Sequence, residues 1–301
     1  MAGTAPTVET EPAAKSAWAF AAGDEIAPGR TAHRLLGGGE RYEAYVAWNE
    51  RLMTPTVIKI LRPSWADDLR ARRSLANEGA LLGRLQHPGL IRLFDIDSTG
   101  RSPFLEIEYV DGPRLSTLLR RYGRLTPEQA FPLARQLAAT LHYLHAERVL
   151  HLDIKPRNVI MGPIPRLIDL SVARTFDRVS TISGNVGTDA YMSPEQCDPE
   201  LFGRIGPASD VWGLGTTVYE AIAKRRPFPR GRHDATGVER FPQLEAAPRP
   251  LAGDRHSQVL ADLVMSCLRY EPRERPSVAD LFESFDELAG RAGVGRLRLG
   301  K

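Results

Sequence analysis

The sequence predicts an α+β protein in two parts, a small strand-rich lobe followed by a larger helical one. Three observations predict it. From Arg30 to about Ile107 the chain is mostly short strand-like runs (TAHRLL, EAYVAW, TPTVIKIL, LIRLFDI and FLEIEYV) broken by Gly, Pro and Asp clusters. From about Arg114 onward, apolar residues recur every three to four positions, the period of a helix with one buried face. The length of 301 residues, 42% of them hydrophobic, is enough for a sizeable core in one large domain or two lobes.

Taken in order, residues 1–28 are rich in Ala, Thr, Pro and Glu without a sustained period and are expected to be a disordered tail. The strands follow, interrupted by one helix over about Asp67–Leu85. The first long helix of the second part lies in LTPEQAFPLARQLAATLHYLHAERV: Thr126 is a good N-cap, Pro127 suits the first helical position, and Gln129 completes a capping box. Pro132 is expected within the first turn, where its missing N–H costs little. Ala130, Leu133, Ala134, Leu137, Leu141 and Leu144 form the buried stripe. A strand-rich lobe joined to a helical one makes a cleft between them the expected ligand site.

Composition narrows the function. A net charge of +3 from 40 basic and 37 acidic residues, without dense basic blocks, does not suggest nucleic acid as a partner. Two distant cysteines, Cys197 and Cys267, give neither a disulfide framework nor zinc-ligand spacing and fit a reducing compartment. The first residues lack the apolar run of a signal peptide, and no stretch approaches the roughly 18 apolar residues of a membrane span. A cytoplasmic protein with no membrane segment in this sequence is expected. Only five of the basic residues are lysines, which points to a GC-rich bacterial genome and draws attention to Lys59 and Lys155 as places where a compact ammonium is wanted.

The chemistry concentrates in HLDIKPRNVIMGPIPRLIDLS, residues 151–171. Asp153, Lys155, Asn158 and Asp169 stand between apolar runs, a layout that places them on loops at the ends of short buried strands. Any one of them alone would be ordinary turn chemistry. As a set they supply a base, an ammonium and two oxygen ligands for a hard cation, the needs of phosphoryl transfer, where catalysis is mostly positioning and charge neutralisation.

H-x-D-x-K-x-x-N followed by D-L-S resembles the catalytic and metal-binding loops of eukaryotic-type (Hanks-type) serine/threonine protein kinases, in their bacterial branch. The resemblance covers about Arg30 to Leu288 and implies the bilobal kinase fold with ATP in the cleft. It implies a kinase domain over 29–290, with an N-lobe at 29–110, a C-lobe at 111–290 and a C-terminal tail at 291–301. By this resemblance Asp153 accepts the substrate hydroxyl proton, Lys155 neutralises the γ-phosphate, and Asn158 and Asp169 hold Mg²⁺, for which Mn²⁺ could substitute. Lys59 in TPTVIKIL matches the phosphate-contacting strand lysine and Glu78 its helix partner. Leu36, Gly37, Gly38, Gly39 and Ala44 fall on the glycine-rich loop; Val57, Ile107 (as gatekeeper), the backbone of Glu108 and Val110, and Ile160 (as floor) surround the adenine. GTDAYMSPE resembles the end of the activation segment, with Gly187 and Thr188 shaping the substrate surface and Glu195 pairing with Arg275. Asp210 matches the acid that ties down the catalytic loop. His151, His142 and His145 read as structural.

The sequence departs from that pattern at five residues. Tyr42 stands where the third glycine belongs and Ala44 where valine covers the adenine, so ATP affinity and loop closure are open. Leu152 replaces the arginine that clamps a phosphorylated loop, so activity is expected not to need loop phosphorylation by that route. Thr175, Ser180, Thr181 and Ser183 remain candidate autophosphorylation sites, which would involve self-association. Leu170 and Ser171 replace Phe and Gly, for which a stiffer loop is expected. The expected reaction is ATP-dependent phosphorylation of protein Ser/Thr hydroxyls. The alternatives are a pseudokinase scaffold with impaired ATP turnover and a kinase of small molecules, against which GTDAYMSPE and Arg275 argue.

Overall fold

The computed structural model describes residues 16–181, 184–251, 255–291 and 293. The chain divides into two units, one of residues up to Ala80 with Arg92–Tyr109, the other of Leu81–Ile91 with Val110 onward. The later of these divisions falls between Tyr109 and Val110, and Leu81–Ile91 groups with the second unit.

The first unit is an antiparallel sheet of β1 (Glu25–Ala27), β2 (Arg30–Gly38), β3 (Tyr42–Asn49), β4 (Thr54–Leu61), β5 (Leu93–Asp97) and β6 (Phe104–Glu108), in the order β1-β2-β3-β4-β6-β5, with most of helix α1 (Leu69–Arg84) between β4 and β5. TPTVIKIL shows how its side chains are sorted. Alternation sends Thr56, Ile58 and Ile60 to one face, where all three are buried, and Val57, Lys59 and Leu61 to the other. Ile58 and Ile60 pack with Tyr45, Ala47 and Phe104, while Leu61 and Leu105 pack with Ala71 and Leu75 of α1. A one-residue slip of β4 would exchange the faces and bury Lys59 against Tyr45, Ala47 and Phe104, so the register is firmly set.

The expectation of a disordered tail over 1–28 is corrected for its described part. Trp18 donates from Nε1 to the Leu61 carbonyl at 2.7 Å and from its amide to Glu43 at 3.1 Å, and its ring stacks on Phe20, which meets Tyr45 edge-on. Two aromatics with hydrogen bonds to the sheet override the Ala/Pro-rich composition around them, and β1 follows directly. Residues 1–15 and most of the expected tail at 291–301 lie outside the described residues.

The second unit holds α2 (Leu115–Tyr122), α3 (Pro127–Ala146), α4 (Pro194–Cys197), α5 (Pro199–Phe202), α6 (Pro207–Ala223), α7 (Gly237–Arg240), α8 (Arg255–Cys267) and α9 (Val278–Arg291). It also holds two small antiparallel pairs, β7 (Val149–Leu150) with β10 (Arg174–Thr175) and β8 (Val159–Ile160) with β9 (Arg166–Leu167). Gln129 Oε1 accepts from the Thr126 amide at 3.0 Å and closes the N-terminus of α3. Leu133, Leu137, Leu141 and Leu144 are buried along that helix as it packs on α6 and α9, each contributing roughly 1.5–3 kcal/mol. Pro132 is a correction: it lies beyond the first turn, where an N–H would have joined the helical ladder, so it costs one intrahelical bond. Packing of the buried stripe outweighs that loss. Among the described residues no helix is long and apolar enough to cross a membrane.

Candidate active site

In the first unit, β4 presents Lys59 on the α1 face of the sheet, and α1 presents Glu78. Lys59 Nζ donates to both Glu78 oxygens at 2.9 Å, with Glu78 buried. The approach of helix to sheet is set by the next residue: a Cβ on Gly79 would lie 2.4 Å from Ile96 Cδ1 and 3.0 Å from Leu105 Cδ2. Gly37 and Gly38 end β2, and Gly39 opens the turn to β3. Gly37 has φ +123°, and a Cβ on Gly38 would lie 2.4 Å from the Tyr42 carbonyl, so the turn folds too tightly there for any side chain. Leu36 lies on β2, Gly37 opposite Ala44, Ala44 opposite Lys59, and Val57 opposite Ile107. The Glu108 amide donates to the Arg92 carbonyl at 2.9 Å, so that half of its backbone is already used.

In the second unit the chain leaves β7 through Leu152, whose φ of +64° is unusual for a residue with a Cβ. Asp210, fully buried on α6, holds this turn by accepting from the His151 amide at 2.9 Å and the Leu152 amide at 2.8 Å, with His145 Nε2 at 2.9 Å. Gln196 Nε2 donates to the Leu152 and Val186 carbonyls at 2.9 Å, joining the same turn to the segment after it. His151 Nδ1 accepts from the Asp153 amide at 3.3 Å. Complete burial pushes the His151 pKa down, against the pull of the Asp210, Asp153 and Asp169 carboxylates, and keeps the ring neutral.

The held turn delivers Asp153, 8% exposed, into a closed set of hydrogen bonds. Lys155 Nζ donates to Asp153 Oδ2 at 2.6 Å, Thr188 Oγ1 donates to Asp153 Oδ1 at 2.7 Å, and Asn158 Nδ2 donates to Oδ2 at 3.1 Å and to the Asp153 carbonyl at 2.9 Å. Lys155 Nζ also donates to Thr188 Oγ1 at 2.6 Å. The Ile168 amide donates to the Asn158 carbonyl at 2.8 Å, tying the loop that carries Asp169, itself at φ +72°, to the one that carries Asn158. With its Nδ2 taken by Asp153, Asn158 has its amide oxygen as the group suited to a cation, and with the Asp169 carboxylate it offers the hard oxygen donors that Mg²⁺ prefers. Among the described residues no three His, Cys, Asp or Glu side chains gather as a metal cage. Ile160 lies in β8, and Val110 begins the segment before α2.

Thr188's double contact with Asp153 and Lys155, and Gln196's bridge to Leu152, were not anticipated. Gln196 carried a signal, since Ser193 and Gln196 have capping-box spacing, and the Ser193 amide does donate to Gln196 Oε1. Its second role depends on tertiary structure alone. Of the candidate phosphorylation sites, Thr175 and Ser180 lie in the described chain, while Ser183 and the side chain of Thr181 do not.

An antiparallel sheet carrying a lysine–glutamate pair, and a helical unit carrying an Asp–Lys–Asn loop, define a phosphotransferase of the protein kinase type. The chain belongs to the protein kinase domain family, whose model matches residues 30–285, and its fold is the bilobal α+β fold of that family. It is 34% identical over 259 residues to the probable serine/threonine-protein kinase PkwA of Thermomonospora curvata, covering 85% of this chain and 33% of that protein. It is 34% identical over 249 residues to the serine/threonine-protein kinase PkaA of Streptomyces coelicolor (79% and 44%), and 30% identical over 251 residues to PknD of Mycobacterium tuberculosis (80% and 37%). The chain thus spans between a third and less than half of these relatives' lengths. It is a serine/threonine protein kinase domain of the bacterial Hanks type, a family that uses ATP and a divalent metal on protein substrates.

Proposed function

We propose that this chain transfers the γ-phosphoryl group of ATP to serine or threonine hydroxyls of a protein, from the bacterial cytoplasm, with residues 29–290 as the catalytic domain. The observation that carries the proposal is the Asp153 carboxylate, held by Lys155, Thr188 and Asn158 in one set of hydrogen bonds. Asp153 orients the substrate O–H and takes its proton as the oxygen attacks the γ-phosphorus. The bond from that phosphorus to the β–γ bridging oxygen breaks, and ADP leaves with the electron pair. Lys155 sits beside Asp153, placed to neutralise charge on the γ-phosphate, and Lys59, fixed by Glu78, takes the other phosphates. The glycine turn at Gly37–Gly39, with Leu36, Ala44, Val57, Ile107, the Glu108 and Val110 backbone and Ile160, holds the nucleotide.

Asn158 and Asp169 would hold the divalent ion, Mg²⁺ or alternatively Mn²⁺, which would offset phosphate charge. Glu195, Arg275 and Asp210 keep the substrate-side segment and the catalytic turn in place. The lysine, both aspartates and the asparagine are all present, which favours turnover over a scaffold role. Self-association enters through autophosphorylation at Thr175, Ser180, Thr181 or Ser183. Incubating the protein with Mg²⁺-ATP and a generic protein substrate, followed by phosphoamino-acid analysis, tests the reading. Phosphoserine or phosphothreonine is expected, and binding of ATP without any phosphorylated product would overturn it.

A further inference from the structure

Tyr42 takes a position where the resemblance calls for glycine, and the strand register shows what its side chain does there. Ala44 of β3 lies directly opposite Lys59 of β4, and Tyr42 lies opposite Leu61. Residues two apart on a strand share a face, so Tyr42 is the diagonal neighbour of Lys59, within reach of a large side chain. The Tyr42 ring centroid lies 4.7 Å from Lys59 Nζ, and both Glu78 oxygens lie 2.9 Å from the same nitrogen. The aromatic face and the carboxylate thus bracket one ammonium.

The ring is well supported. It packs with the cluster of Leu61, Ala71, Leu75 and Leu105 between α1 and the sheet. Its backbone is fixed as well, because the Gly39 amide donates to the Tyr42 carbonyl at 3.0 Å and Gly38 closes against that same carbonyl. The hydroxyl is buried beside the Ser74 side chain. Burial, outweighing the opposing pull of Lys59, pushes its pKa upward, so the ring is a neutral phenol at physiological pH.

We propose that Tyr42 is a positioning residue for nucleotide binding: its ring face holds the Lys59 ammonium against Glu78, so that the lysine is set before the phosphates arrive. A glycine at this position leaves that flank of the lysine open. Here the loop gives up some bare backbone for an aromatic wall, and the lysine is pre-organised by packing rather than by nucleotide alone. Neither contact depends on phosphorylation of any residue.

The proposal rests on the kinase reading for its purpose, and its test is read without turnover. Nucleotide affinity by calorimetry, and the rate at which an amine-acylating reagent modifies Lys59 in the nucleotide-free protein, are measured by titration and by peptide mass spectrometry. Wild type is compared with Tyr42→Phe, Tyr42→Leu and Tyr42→Gly, each checked for a cooperative thermal transition. Tyr42→Phe is expected to match wild type in both. Tyr42→Leu, which keeps apolar volume but loses the ring face, is expected to weaken ATP binding on the order of tenfold and to speed Lys59 acylation by a similar factor. Tyr42→Gly should behave like Tyr42→Leu, and if it does not fold, the Phe and Leu variants decide. Unchanged affinity and acylation in Tyr42→Leu would show that the ring is only core packing. Tighter ATP binding in Tyr42→Gly would show that it is a cover to be displaced. Wild-type protein that binds ATP but transfers no phosphate would defeat the kinase reading and leave these measurements to decide the role of Tyr42.

Discussion

Glu195 and Arg275, 80 positions apart, meet as a two-pronged ion pair with both side chains fully buried, Nη1–Oε1 at 2.7 Å and Nη2–Oε2 at 2.9 Å. Few lone pairs or protons are left over. Ser209 Oγ donates to Glu195 Oε1 at 2.7 Å, and the guanidinium also donates to the carbonyls of Ala208, Arg269 and Tyr270 while lying over the Trp212 ring. The pair therefore joins α4, the start of α6 and the segment before α9. Arg275→Ala leaves the Glu195 carboxylate buried and uncompensated, and is expected to lower the unfolding free energy by roughly 3–5 kcal/mol. Arg275→Lys keeps the charge but not the fork and should recover only part of that. Urea unfolding measures both, and a loss under about 1 kcal/mol for Arg275→Ala would contradict this account.

Thr188 is expected to affect turnover more than stability. Its hydroxyl sits between Asp153 and Lys155, so Thr188→Ala removes a contact to each while leaving the fold in place. A fall in kcat on the order of tenfold or more is expected, with Thr188→Ser restoring most of it. Equal loss in both variants would show that the methyl group, not the hydroxyl, is what counts.

Activity is expected to survive complete dephosphorylation. Leu152 is buried where an arginine would face a loop phosphate, and its strained turn is held from within the unit by Asp210 and Gln196. Phosphatase-treated protein, with zero phosphate verified by intact mass, should transfer phosphate to an exogenous substrate from the first turnovers without a lag. A lag abolished by one loop phosphate would refute the expectation.

His151 makes stability fall on the acid side of neutrality. Its pKa is depressed in the folded state by burial, so below the ordinary histidine pKa of about 6.5 the unfolded chain binds a proton that the folded chain refuses. Stability from this group is complete above that pH and is lost as pH falls below it, by at most about 1.4 kcal/mol per pH unit. His151→Asn offers an oxygen to the Asp153 amide without the titration. Comparing urea midpoints between pH 7 and pH 5 should show a shallower decline in the variant, and parallel declines would rule the mechanism out.

Much of this architecture was legible in the chain. β4 could be placed from the alternation in TPTVIKIL, and α3 from its cap and stripe, because each carries its own period and its own end signals. The Lys59–Glu78 and Glu195–Arg275 contacts could be anticipated only through the resemblance, since nothing local to either residue identifies its partner. Trp18 and Phe20 were obscured by their surroundings: two aromatics in an Ala/Pro-rich stretch leave no periodicity, and their docking depends on a carbonyl at Leu61 and a carboxylate at Glu43. Pro132 was misplaced although the Thr126 cap was read correctly, because counted from that cap it already lies past the first turn. Tyr42 was visible as a departure from pattern, but its contact with Lys59 required the β3–β4 register.

The most direct test of the central claim is the rate of phosphate transfer by Asp153→Asn beside wild type, with Mg²⁺-ATP and one protein substrate, read by mass spectrometry of the modified residue. Asn keeps the shape and the neighbours of Asp153 but cannot take a proton. Transfer is expected to fall by about 10²- to 10⁴-fold with the thermal midpoint little changed and the wild-type product on serine or threonine. A variant as fast as wild type would contradict the role assigned to Asp153 and the account built on it.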